Sequence, residues 1–190
     1  LSSRITGFKP LLKIGPRSLL GHAIRLFQER GLSEIIVVSG HQHQAVMAEA
    51  LRYGCETIYN HRFETGMFSS VQTGVGELSE QCGAFFLLPV DIPLVRPETI
   101  GLLIHTFESR QDRLICYPQF QTKRGHPPLI DRKLAQPILA YHGEGGLRSL
   151  LHHYHDRAAT VTVADPFVSL DVDTDEDFQE LVHMYRASRS

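Results

Sequence analysis

Apolar residues in this chain fall into two kinds of run, and their alternation predicts the fold class. Short, wholly apolar stretches without a polar partner occur at Ile35-Ile36-Val37-Val38 and Ala84-Phe85-Phe86-Leu87-Leu88. Such runs are expected of strands covered on both faces of a parallel sheet. Elsewhere the apolar positions recur at i, i+3, i+4 and i+7. Leu20, Ala23, Ile24 and Phe27 define a helix that Ser18 can cap and Gly31 can end, and Val46, Met47, Ala50 and Leu51 define a second. Residues 56–59 read as a short strand, followed by a helix over about 69–78. In the next helix Pro97 suits the first position, Glu98 the first turn, and Ile100, Leu103, Ile104 and Phe107 the buried stripe. Residues 114–117 form a strand, Leu147, Leu150, Leu151 and Tyr154 line a helix, and 161–163 and 168–170 are short strands. Thr174 then caps a last helix packed by Phe178, Leu181, Val182 and Tyr185. The rhythm is β-α-β, which predicts an α/β domain with a parallel sheet and right-handed crossovers.

Composition narrows the picture without naming a chemistry. With 190 residues, 42% hydrophobic and 21% charged, the chain has the size of one domain with a substantial core. A formal charge of -2 and the absence of basic runs argue against a nucleic-acid footprint, so any bound anion meets a local site. Cys55, Cys82 and Cys116 are scattered, with no C-x-x-C pair, which fits neither a disulfide framework nor a cysteine zinc site. No apolar stretch approaches 18 residues and no leader pattern opens the sequence, so a cytoplasmic, non-membrane protein is expected.

Candidate chemistry gathers at loops after the strands. In Leu88-Pro89-Val90-Asp91-Ile92-Pro93, prolines on both sides hold Asp91 on a stiff turn beyond a strand's carboxyl end. Open α/β sheets bind ligands at that edge. Taken alone, Asp91 reads either as a turn aspartate or as a hard oxygen ligand for Mg²⁺. The opening loop carries Arg4, Gly7 and Lys9, and can offer backbone N–H groups and positive charge to a polyphosphate, or simply lie in solvent. In 60–70, Gly66 permits close approach, and Ser69 and Ser70 place donors at a helix start where a nucleoside could be read. Two further glycine-bearing loops, around Gly125-His126 and Gly143-Glu144-Gly145-Gly146, form a candidate substrate pocket. Alternation puts Asp171 and Asp173 on one face, whereas Asp175 to Asp177 are explained by the helix dipole. The eleven histidines include no set at zinc-ligand spacing with a carboxylate or cysteine partner, and no G-x-S-x-G elbow is present.

Phe8-Lys9-Pro10-Leu11-Leu12, Asn60 with Gly66-Met67-Phe68-Ser69-Ser70, Pro89-Val90-Asp91-Ile92-Pro93, Arg124-Gly125-His126-Pro127 and 171–177 occur in one order and spacing. That arrangement resembles the MobA-like nucleotidyltransferases, nearest to the molybdenum cofactor cytidylyltransferases, over nearly the whole chain. The resemblance implies a three-layer, Rossmann-like, mostly parallel sheet of the nucleotide-diphospho-sugar transferase (GT-A-like) type. Arg4, Gly7 and Lys9 match the tail of the family's opening motif, while its first strand and first glycines have no counterpart here. The expectation is therefore a single domain over 1–190, truncated at its N-terminal side, with a further strand between 35–38 and 84–88.

The implied reaction is transfer of CMP from CTP to the terminal phosphate of a molybdopterin-type cofactor with release of pyrophosphate. Mg²⁺, with Mn²⁺ as an alternative, would be held by Asp91 and Asp173, with Asp171 a weaker candidate. Arg4 and Lys9 would hold the phosphates, Gly66, Met67 and Ser70 the nucleoside, and Gly125, His126 and Gly145 the pterin. A molybdoenzyme chaperone is a further candidate partner. A guanylyltransferase or a sugar-phosphate nucleotidyltransferase would use the same acids, and a non-catalytic nucleotide-binding module is the reading from a different class. A glycosyltransferase would carry an Asp-x-Asp pair that Asp91-Ile92-Pro93 lacks.

Overall fold

The computed structural model describes residues 5–110 and 112–187. A two-stranded hairpin, β1 (Lys13–Ile14) and β2 (Arg17–Ser18), leads into α1 (Leu19–Gln28). Ser18 starts that helix as expected, accepting from the Gly21 amide at 2.9 Å, and its hydroxyl donates to buried Glu49 at 2.5 Å. Next come β3 (Val37–Ser39), α2 (His43–Leu51), β4 (Thr57–Tyr59), α3 (Met67–Gly76) and β5 (Ala84–Phe86). After α4 (Pro97–Ser109) the chain forms β6 (Ile115–Phe120), β7 (Lys123–Arg124), β8 (Leu129–Asp131), α5 (Ala135–Ala140), α6 (Gly146–His152), β9 (Ala158–Thr162) and α7 (Asp175–Ala187). Among the described residues no helix is long and apolar enough to cross a membrane.

The sheet is mixed, where the sequence predicted it mostly parallel. β3 pairs with β4 and β6 with β9 in parallel, but β8 runs antiparallel to both β5 and β6, and β7 antiparallel to β6. The reason is the short return after β6: a few residues cannot make the long crossover that a parallel pair needs, so the chain folds back beside itself. β3 and β5 stand in different ladders and are not paired with each other among the described residues. Residues 168–170, expected as a strand, lie instead in and just after a 3₁₀ turn, Pro166–Ser169, started by Asp165.

Strand alternation sorts neighbours to opposite sides of the larger sheet. Cys116 and Leu129 join a cluster with Leu26, Ile100, Leu103, Val161 and Val168, whereas Ile115 and Ile130 join Phe85, Val75, Leu134, Ile138 and Leu151. Helices thus cover both faces, giving three layers. Each fully buried aliphatic side chain in these clusters contributes about 1.5–3 kcal/mol relative to exposure. A third cluster, Ile14, Leu19, Phe167, Val172 and Leu181, docks α7 beside the start of α1. α7 opens with a reciprocal cap: the Asp177 amide donates to Thr174 Oγ1 at 3.1 Å, and the Thr174 amide to Asp177 Oδ2 at 2.8 Å.

Candidate active site

Three separate stretches converge beyond the end of β5. The first is the turn carrying Asp91, closed by the Ile92 amide donating to the Pro89 carbonyl at 3.2 Å. The second is 171–173, anchored when the Val172 amide donates to the Asp91 carbonyl at 2.9 Å. Val172 is 1% exposed, so the alternation of an extended segment turns both Asp171 and Asp173 outward. The third is the 3₁₀ turn Lys9–Leu11, where Lys9 Nζ meets Asp173 Oδ1 at 2.8 Å. The loop before Lys9 is fastened to the same region, since the Thr6 amide and hydroxyl both donate to Asp175 at 2.8 Å.

Charge is concentrated here in a partly dry setting. Lys9 is only 15% exposed while Asp173 is 58% exposed, so the ammonium is held at the rim with its charge directed at the carboxylates. Burial pushes the Asp91 carboxyl above its ordinary pKa; Lys9 pulls it down, and Asp173 and Asp171 push it up further. His126 belongs to the same cluster. Burial lowers its pKa, against the Leu87 backbone and the carboxylates of Asp91 and Asp171, which raise it, and its buried Nδ1 has no hydrogen-bond partner among the described residues. Asp171 and His126 also line an open cleft of about 430 Å³, together with Ile92, Lys123, Arg124, Gly125, Val168 and Ser169.

Gly125 is needed by the fold itself. Its amide donates to Pro118 at 2.8 Å, and a Cβ there would collide with the Val168 carbonyl, to which the next amide, that of His126, donates at 2.7 Å. The glycine thus lets β7 and the 3₁₀ turn after β9 press together, placing the His126 ring.

Gly66, Met67, Ser70 and Gly145 form a second group. Gly66, at φ 110°, starts α3; Met67 is 68% exposed. Buried Asn60 donates to Ser69 Oγ at 2.8 Å and Ser70 Oγ at 3.0 Å, and accepts the Arg62 amide at 2.9 Å, so its side chain clamps the loop to the helix start. Gly145, at φ 76°, precedes α6, and a Cβ on the adjoining Gly146 would lie 3.2 Å from Phe68, which puts that loop close to α3. Arg4 lies outside the described residues. Lys123, which also lines the cleft, escaped the sequence reading, and Arg124, quoted there as the first residue of a motif segment, was given no role of its own.

For a divalent cation the fit rests on Asp91 and Asp173. Among the described residues no group of three or more His, Cys, Asp or Glu side chains is arranged to hold a metal by itself. Two carboxylates in one charge cluster nevertheless match Mg²⁺ sites, which are completed by substrate phosphates and water.

Residues 1–158 match the MobA-like NTP transferase domain. The chain is 27% identical to the nicotine blue oxidoreductase of Paenarthrobacter nicotinovorans over 181 residues, covering 93% of this chain and 88% of that protein. Its fold is shared by a nucleotidyl transferase of Methanothermobacter thermautotroptrophicus, with a TM-score of 0.84, 17% identity, and 98% and 94% of the two chains covered. A Mycobacterium tuberculosis protein solved in complex with manganese superposes with a TM-score of 0.77 at 23% identity, covering 94% of each chain. The architecture is that of the GT-A-like nucleotidyltransferases, and the chain belongs to the MobA-like NTP transferase family.

Proposed function

We propose that this MobA-like NTP transferase domain transfers CMP from CTP to the terminal phosphate of a molybdopterin-type cofactor and releases pyrophosphate. The observation that carries the reading is Lys9 paired with Asp173 beside half-buried Asp91, at the sheet edge where α/β folds bind nucleotides. The choice of CTP and of the pterin rests on the motif resemblance to the cytidylyltransferases.

In the reaction, an oxygen of the acceptor phosphate forms a bond to the α-phosphorus as the bond from that phosphorus to the α,β-bridging oxygen breaks. Pyrophosphate leaves with the electron pair. A phosphate monoester is mostly dianionic at neutral pH, so no strong base is required, and positioning and charge neutralisation do most of the catalysis. Asp91 and Asp173 would hold Mg²⁺ or Mn²⁺, which when bound neutralises triphosphate charge. Lys9 exchanges Asp173 for phosphate oxygens and stabilises the leaving pyrophosphate; Arg4 is assigned the same role. Gly66, Met67 and Ser70 lie beside the nucleoside, with Gly145 and His126 toward the pterin. Pyrophosphate release should be seen with CTP plus molybdopterin and should exceed that with GTP, ATP or UTP. Absence of release with every nucleotide, in Mg²⁺ and in Mn²⁺, would sink the proposal.

His126 is assigned to acceptor binding, since the dianionic nucleophile leaves it no proton to remove. Burial lowers its pKa, so any titration of the ring that alters the acceptor KM should fall on the acid side of the ordinary imidazole value. His126→Gln should raise that KM more than it lowers kcat. A large kcat loss with a shifted pH profile would assign His126 to proton transfer instead.

The match over 93% of this chain to a protein named as an oxidoreductase favours one second reading, oxidoreduction of a small molecule in the same cleft. Substrate-dependent oxidation of NADH or NADPH without pyrophosphate release would establish it over nucleotidyl transfer.

A further inference from the structure

The opening loop is tied to the segment 173–175 at two points, and the reaction as described releases one of them. At the first, Lys9 Nζ pairs with Asp173 Oδ1 at 2.8 Å, a pair that opens when Lys9 turns to the triphosphate. At the second, Asp175 accepts from the Thr6 amide on Oδ1 and from the Thr6 hydroxyl on Oδ2, both at 2.8 Å. Asp175 is itself held in place, being the first residue of α7 and the neighbour of Thr174, whose amide and hydroxyl are tied to Asp177. Compensation of the helix dipole explains an acid in this turn, but not why both its oxygens are taken by one residue 169 positions away. Ile5, 9% exposed, joins the cluster of Val172 and Leu181 and so seats the loop against α7. Gly7, at φ 110°, then makes the bend between Thr6 and the 3₁₀ turn that carries Lys9.

We propose that Asp175 is a positioning residue: by gripping Thr6 it keeps the opening loop in place when the Lys9–Asp173 pair opens, so that Lys9 reaches the triphosphate by side-chain motion alone. The role rests on the nucleotidyl-transfer reading and deepens it, but the binding it controls does not need turnover. The charge of Asp175 works against the site it organises, since a carboxylate two residues from Asp173 repels a polyphosphate. Geometry and charge therefore predict opposite signs for its removal. Loss of the grip loosens the loop and weakens triphosphate binding, whereas loss of the charge alone strengthens it. Asparagine separates the two effects, because its oxygen accepts the Thr6 amide while its Nδ2 donates to the Thr6 hydroxyl oxygen.

The test has a binding arm and a kinetic arm. In the first, calorimetry follows the binding of inorganic tripolyphosphate in Mn²⁺, and NMR follows hydrogen exchange of the backbone amides of 6–9. Asp175→Ala should raise the tripolyphosphate dissociation constant about three- to tenfold, the range of one or two hydrogen bonds at an exposed position, and should quicken exchange across the loop. Asp175→Asn should bind at least as tightly as the wild type and keep the slower exchange. Thr6→Val, which loses only the hydroxyl, should fall between the wild type and Asp175→Ala, and Thr6→Ser should restore binding. All variants should melt near the wild type, because the contact is exposed. In the kinetic arm Asp175→Ala should raise the CTP KM and leave the acceptor KM unchanged.

Unaltered or tighter tripolyphosphate binding in Asp175→Ala overturns the proposal, whatever happens to its melting temperature. An Asp175→Asn variant as weak as the alanine overturns it too, as does a rise in the acceptor KM in place of the CTP KM. The expected order of affinities in a protein that never releases pyrophosphate would support the positioning role while refuting nucleotidyl transfer, and a wild type that does not bind tripolyphosphate refutes both.

Discussion

Asp91→Asn is expected to lower nucleotidyl transfer by roughly a hundred- to a thousand-fold, the usual loss when one preorganised charge-handling group of a transition state is removed. The melting temperature should stay the same or rise slightly. Burial raises the Asp91 pKa, and Asp173 and Asp171 add to the effect, so the folded chain holds the proton more tightly than the unfolded one. Stability therefore declines as pH rises from the unfolded pKa through the folded one, and at neutral pH the ionised carboxylate opposes folding. Asparagine removes that opposition together with the charge. Such a trade of stability for function is common at reactive sites. Steady-state pyrophosphate release at saturating Mn²⁺ or Mg²⁺, alongside thermal unfolding from pH 4 to 8, reads both effects. Wild-type rates in the variant would remove Asp91 from the reaction. A marked fall in melting temperature would show that the carboxylate is a structural group.

Asp165→Ala should have the opposite profile, with a large loss of stability. This carboxylate is 2% exposed and accepts from the Arg96 amide at 2.8 Å, the Thr99 hydroxyl at 2.8 Å and the Phe167 amide at 3.1 Å. It therefore caps α4 from a distant part of the chain and starts the 3₁₀ turn Pro166–Ser169, whose Val168 carbonyl receives the His126 amide. Alanine leaves these donors buried without partners. With each orphaned group costing about 1–3 kcal/mol, a total of about 4 kcal/mol is expected. For a domain of this length that corresponds to a fall in melting temperature of about 10 °C. Urea unfolding should show the loss, and a change below about 1 kcal/mol would mean that water replaces the carboxylate in the cap. Asp165→Asn should be milder, since one oxygen still accepts.

The two residues show why part of the site was legible and part was not. Asp91 announces itself locally: an acid between two prolines after an apolar run is a stiff turn at a strand's end whatever surrounds it. Asp171 and Asp173 are legible for a similar reason, because the alternation of an extended chain assigns them one face. The capping of α1 by Ser18 and of α7 by Thr174 needs only neighbours three residues away. Asp165 carries no such signal. Its partners Arg96 and Thr99 lie 69 and 66 residues away, and nothing around it distinguishes a cap for another helix from a loop acid.

What the sequence determined by itself was thus the class of each strong element, the presence of helix-starting caps and the identity of the acids at strand ends, all set by spacings of a few residues. Tertiary structure decided the rest. The direction of β8 depended on how the chain returned after β6, and residues 168–170 became a 3₁₀ turn because Asp165 and the packing of Gly125 fixed them there. The pairing of Lys9 with Asp173 spans 164 residues. No local pattern encodes such a contact: it exists because separate layers bury their apolar faces together, and the loops at one edge are carried into contact with them.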